Sequence, residues 1–292
     1  MSKLSEKLSD GEFVITSEIG PPKGTNVDQC LDEVEHIKDR ATAINVTDIQ
    51  SAVMRFGSMA TCHLLLDRGI EPVLQMVCRD RNRLALQSDL LSAYRLGVEN
   101  VLCLTGDHNT LGDDPDSMPV FDLDSVSLLH AATTLQQGKD LAGEELDGVP
   151  KFFLGAVVTP GADPLEPQIM KMEKKISAGA QFFQTQAVYD VAQFERFIEM
   201  AKPLDTKILA GMVVLKSVGM ARFMNANVAG VHVPESLIKE LRKNRGKTKS
   251  GQTGIEIAAR LIQDLKDMCD GIHLMPLGWD DKVPAILDLA GL

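Results

Sequence analysis

Aromatic residues are scarce: 4% of the 292 residues, with one Trp and two Tyr. That leaves too few rings for the stacking platforms on which single-stranded nucleic acid is bound. Basic charge is outnumbered, 30 Lys and Arg against 41 Asp and Glu, for a formal net charge of -11. An acidic surface repels phosphate backbones and anionic lipid, so neither nucleic acid nor membrane is an expected partner. The five cysteines, Cys30, Cys62, Cys78, Cys103 and Cys269, include no CxxC pair and are odd in number. This argues against a disulfide framework, a structural zinc site or an iron–sulfur motif, and fits a reducing cytoplasm. No apolar run approaches the roughly 18 residues of a membrane span, and MSKLSEKLSDGEF lacks the apolar stretch of a secretory leader. There is no GxGxxG. Gly246-Lys247-Thr248 ends like a P-loop, but position 241 is Leu and a helical pattern precedes it, so the motif is rejected. The acidic segment around Asp113, Asp114 and Asp116 lacks EF-hand spacing and reads as a solvated loop.

What is present is a repeated grammar of amphipathic helix, glycine and short apolar strand. It reads DRG-IEPVLQM at Gly69, RLG-VENVLCL at Gly97 and SAG-AQFFQTQ at Gly179, with a looser copy at Gly271. Glycine just past a helix takes the left-handed conformation at low cost. Eight strands are predicted: 13–17, 43–47, 72–77, 100–105, 151–158, 182–186, 207–213 and 271–276. Several are almost continuously apolar, as strands buried on both faces should be. Helical patterns cover 27–40, 81–96, 165–177 and 191–201, and two or three further helices are expected between strands 7 and 8, over 234–244 and 255–268. Alternation on this scale predicts a (β/α)8 TIM barrel, residues 1–292 forming a single domain, with a doubly wound open sheet as the alternative. The polar stretch 245–254 is too short to separate domains.

In such a barrel the chemistry sits where strands end. Those positions carry Glu18, Thr47 with Asp48, Gln75 with Arg79, Thr105 with Asp107, Thr159, Gln184 with Gln186, and Lys216. Glu18, in ITSEIGPPKG, is read as lying directly after strand 1, in a loop stiffened by two prolines. A carboxyl flanked by Ile15 and Ile19 suits a general acid; the plain alternative is a surface glutamate before a turn. Asp107 follows Gly106, which lets backbone approach a ligand, although an N-cap or turn aspartate would look the same. Gln186 offers an amide to the edge of a heterocycle, or is a satisfied interior amide. The basic run Lys239–Lys249 reads as a solvated helix face and loop, with a docking patch for an acidic partner as the alternative. His36, His63 and His130 fall in helical patterns, while His232 and His273, in apolar runs, read as satisfied core residues.

Taken together these motifs resemble the methylenetetrahydrofolate reductase family. Glu18-Ile19-Gly20-Pro21-Pro22 matches its strand-1 signature and Leu104-Thr105-Gly106-Asp107 its strand-4 motif. The run Lys175 to Ala180 with Thr185-Gln186 matches a third, and Val46-Thr47 and Gly271-Ile272-His273 extend the likeness over nearly the whole chain. The resemblance implies a cytoplasmic flavoenzyme of one-carbon metabolism, such as methionine biosynthesis, that reduces methylenetetrahydrofolate to 5-methyltetrahydrofolate. The cofactor implied is FAD, with FMN as the alternative. By the same resemblance Glu18 is the general acid, Asp107 lies between flavin and pterin, and Gln186 binds the pterin. Thr47, Gln75, Thr105, Gly106, Asp107, Asp122 and Lys175 fall at flavin-contact positions. Departures are Gln75 where many members have His, Thr105 for Arg, Val157 for Tyr and Gln168 for Asp, which bear on FAD against FMN. Near 211–217 there is no aromatic to stack on a nicotinamide, so the implied electron donor is either NAD(P)H or an electron-transferring partner subunit. An oligomer is expected. Two other readings stand beside this one: a flavin-free, pterin-binding methyltransferase barrel, and a non-catalytic barrel subunit of a larger complex.

Overall fold

The computed structural model describes residues 1–292. Eight parallel strands close into a barrel in chain order: β1 (Val14–Ile19), β2 (Ala43–Val46), β3 (Pro72–Val77), β4 (Asn100–Leu104), β5 (Phe153–Val158), β6 (Phe182–Ala187), β7 (Lys207–Val213) and β8 (Gly271–Met275). The seam between β8 and β1 is parallel and regular, pairing Val14 with Gly271 through Ser17 with Leu274. The expected TIM barrel is therefore the observed fold, with β3 and β7 bounded as read and the other strands shifted by two residues or fewer.

Gly69, Gly97 and Gly179 end helices at φ +72°, +95° and +116°, the left-handed values that glycine adopts most readily. Gly271 departs from this pattern. It opens β8, and a Cβ there would lie 2.4 Å from the Val14 carbonyl oxygen, so the glycine serves the seam between first and last strands. Between β7 and β8 the chain forms four helices, Val218–Asn227, Glu235–Lys243, Arg245–Lys249 and Gln252–Leu265. The polar stretch 245–254 is thus mostly helical. Conversely, the first expected helix is regular only over Asp28–Glu35 and then continues as turns. No helix is long and apolar enough to cross a membrane.

The barrel interior is layered. Its lower end is apolar, filled by Val14, Ala43, Val73, Leu102, Phe182 and Leu209, and closed by Leu4 and Leu8 from an N-terminal helix, Lys3–Ser9. Glu71, just before β3, accepts from the backbone amides of Lys3 and Leu4 at 2.7 and 2.9 Å, placing a carboxylate at that helix's positive end. Gly155 leaves room for the Phe182 ring, which a Cβ would meet at 2.2 Å. Above this plug the inward side chains are polar: Thr16, Asn45, Gln184 and His273, all buried. A polar layer over an apolar floor directs the open end of the barrel toward solvent and ligand.

Candidate active site

Glu18 lies within β1 rather than after it, so its side chain is aimed by the strand's alternation into the barrel mouth. Its Oε2 accepts from Gln75 Nε2 at 2.9 Å and stands 3.7 Å from His273 Nε2. The proline turn that follows is tied down by Phe56 N donating to the Pro22 carbonyl at 2.8 Å and Arg55 Nη1 to that of Pro21 at 3.1 Å.

Glu18, Gln75, Thr105, Gly106, Asp107, Lys175 and Gln186 all line one cleft of about 440 Å³. Gly106 has φ +92°, and a Cβ would come within 3.1 Å of the Val77 Cβ, so this close turn requires glycine. The Thr105 hydroxyl accepts from Ser125 N at 3.1 Å, which leaves its own proton free to donate. Asp107 stands exposed at the rim. Lys175 is buried and donates to the Val157 carbonyl at 2.6 Å. Burial pulls its ammonium down to about 8, with the nearby Lys171 charge acting in the same direction. Gln186 is exposed, although it lies within β6.

Two expected residues are placed elsewhere. Thr47 packs under Gly20, its hydroxyl buried without a hydrogen-bond partner, and does not line the cleft. Asp122 also lies outside it, where the Arg83 guanidinium grips it at 2.8 and 2.9 Å. Hydrogen bonds from the Arg83 side chain and backbone hold its carboxyl down at about 2.

The cleft also contains groups whose roles the sequence did not disclose. Arg79 is 1% exposed. It binds the Asp80 carboxylate through Nε and Nη2 at 2.9 and 2.7 Å, the Asp107 carbonyl through Nη1 at 3.1 Å, and the Ile49 carbonyl through Nη2 at 3.0 Å. One guanidinium thus joins the loops after β2, β3 and β4. Asp48 accepts from Ser58 Oγ at 3.0 Å and Val77 N at 2.9 Å and pairs with Arg81. Lys171 lies one helical turn before Lys175 on the same face. His273, read from sequence as a core residue, reaches the cleft floor. The remaining wall is aliphatic, from Ile49, Val77, Leu102, Leu104, Val157 and Met275, with no Phe, Tyr or Trp. No group of three or more His, Cys, Asp or Glu side chains is arranged to hold a metal ion.

The arrangement supplies an inward carboxyl with a dedicated donor, a second carboxylate at the rim, amides for hydrogen-bond readout, and a cationic side. Comparisons with known proteins identify the family. The chain is 23% identical to methylenetetrahydrofolate reductase 2 of Schizosaccharomyces pombe over 99% of this chain and 47% of that one. It is 22% identical to the 5,10-methylenetetrahydrofolate reductase of Salmonella typhimurium, over 90% of this chain and 86% of that one. It therefore spans about half the length of the yeast relative and most of the bacterial one. Among solved structures, a Clostridium thermocellum protein that binds two copies of 5-methyl-5,6,7,8-tetrahydrofolic acid superposes with a TM-score of 0.65 at 18% identity, covering 99% of this chain and 98% of that one. The family model for methylenetetrahydrofolate reductase matches residues 3–291, and the chain belongs to that family.

Proposed function

We propose that the chain reduces 5,10-methylenetetrahydrofolate to 5-methyltetrahydrofolate with a bound flavin, Glu18 serving as the general acid. The observation that carries this reading is the opening of Glu18 and Asp107, from the first and fourth strand ends, onto one cleft that also holds Gln186. Family membership and the folate-binding neighbour support the substrate.

The donor set suits a flavin ring. The Gln75 amide, the free Thr105 hydroxyl, the Gly106 backbone and Lys175 stand among the aliphatic walls of Val77, Leu104 and Val157. Lys171 and Lys175 provide the positive side that a cofactor phosphate needs, and FAD, with FMN as the smaller alternative, is the cofactor proposed. A reduced flavin, when bound, supplies the hydride. This chain's own residues do the rest. Gln186 reads the donor–acceptor edge of the pterin. Glu18 gives a proton to N10 of the substrate, opening the five-membered ring to an iminium cation. The anion left on Glu18 and the Asp107 carboxylate then favour that cation in a site partly shielded from water. Oε2 of Glu18 is engaged by Gln75, so the proton is carried on Oε1, which has no protein partner.

The test is anaerobic reduction of the purified protein with NADH, NADPH and an artificial donor in turn, followed by methylenetetrahydrofolate. Glu18→Gln is expected to keep its flavin and accept electrons, yet lose folate reduction by about 10²- to 10⁴-fold. A protein that takes up no flavin would instead favour the pterin-binding methyltransferase reading, and an unchanged folate rate would remove Glu18 as the acid.

A further inference from the structure

The buried polar side chains in the barrel form one hydrogen-bonded chain that ends at His273, whose ring faces Glu18. Asn45 and Gln184 exchange amide hydrogen bonds, Asn45 Nδ2 to Gln184 Oε1 at 2.8 Å and Gln184 Nε2 to Asn45 Oδ1 at 3.1 Å. The second hydrogen on Gln184 Nε2 is directed to Thr16 Oγ1 at 3.4 Å. The Thr16 hydroxyl also lies 2.9 Å from His273 Nδ1, to which it can donate. When the hydroxyl donates, Nδ1 is the acceptor, and in the neutral ring the proton belongs to Nε2. Nε2 faces Glu18 Oε2, the oxygen that Gln75 already engages. Thr16, Asn45, Gln184 and His273 are each at most 3% exposed, so the chain is largely shielded from competing water.

We propose that His273 is a positioning residue for Glu18, held as the Nε2–H tautomer by this chain. Its N–H and the Gln75 amide converge on Oε2, favour the anion that remains after proton transfer, and confine the labile proton to Oε1. The contact is 3.7 Å, longer than a hydrogen bond, and the proposal requires it to shorten to one when a ligand fills the cleft. Glu18 is the one carboxylate within 4.0 Å of the ring. Beside His273 in the sheet stand Thr16 on β1 and Gly211 on β7, neither charged. The other charged groups opening on the cleft are Asp48, Arg79, Asp107, Lys171 and Lys175. The inference rests on Glu18 being the acid.

It is tested by following reoxidation of the reduced holoenzyme by methylenetetrahydrofolate against pH. A general acid gives a rate that falls as pH rises through its apparent pKa. Loss of a donor to the anion raises that value, so His273→Leu should move the falling limb up by about one pH unit. His273→Gln, whose amide replaces Nε2–H, should restore it. A slower rate with an unmoved limb in His273→Leu overturns the proposal. Should that variant not fold, ¹⁵N-histidine NMR of the wild-type holoenzyme decides: a neutral Nε2–H tautomer at pH 7 is expected, and Nδ1–H overturns it. Glu18→Gln separates the two claims. A limb that disappears in Glu18→Gln but ignores His273→Leu defeats the positioning role alone, whereas a limb that persists in Glu18→Gln defeats the acid assignment.

Discussion

Asp107 differs from Glu18 in that it is exposed and held through its backbone, by Arg79, so its carboxylate is free to face whatever occupies the mouth. Removing that charge with Asp107→Asn should slow folate turnover about tenfold, ~1.4 kcal/mol of cation stabilisation, and shift the flavin potential. Stopped-flow kinetics and a redox titration check both, and no change in either would refute its placement. Residues of this kind could be singled out in the sequence because each stands where an apolar run ends, although a turn or N-cap residue looks the same there and only the structure shows that they open on one cleft. His273 was not legible. It sits inside the run GIHLM, and periodicity does not distinguish a strand position facing the barrel's interior from one facing the helices when both are buried. Asp122 matched the family pattern, but the structure places it outside the cleft, paired with the Arg83 guanidinium, a partner that the sequence spacing does not reveal.

At the scale of elements, the strands and glycine caps could be read because local chemistry fixes them. The helix Lys3–Ser9 passed unnoticed, being only seven residues long and stable through tertiary contacts rather than propensity. Its cues are Ser2, whose hydroxyl accepts from Ser5 N at 3.1 Å, and the Leu4–Leu8 spacing. Because Leu8 is buried at the closed end of the barrel, Leu8→Ala should destabilise the protein by about 2–4 kcal/mol while leaving flavin content and folate turnover unchanged. Thermal unfolding beside an activity assay measures both, and a loss of less than ~1 kcal/mol would show that the plug is not part of the cooperative core.

For the molecule as a whole, stability should depend on pH through Asp280, after β8. It is 3% exposed and its Oδ1 has no partner. Burial, followed by repulsion from Glu33, pushes its carboxyl up to about 6. A carboxyl raised in the folded state favours folding while protonated. Its contribution is complete below about pH 4, the unfolded value, and is lost as pH rises through about 6. Asp280→Asn should therefore raise Tm at pH 8 and do little at pH 4. The gain at pH 8 is on the order of 2 kcal/mol once screening is allowed for. Equal Tm shifts at the two pH values would contradict this.

Arg79 has a consequence for traffic at the barrel mouth. A buried cation divided among three consecutive loops cannot release one without forfeiting a desolvated hydrogen bond, a loss of about 1.5–3 kcal/mol. The β2, β3 and β4 loops are accordingly yoked into a fixed jaw. On the proposed function, admitting and expelling flat ring ligands would fall to the opposite half of the rim, from β5 round to β8.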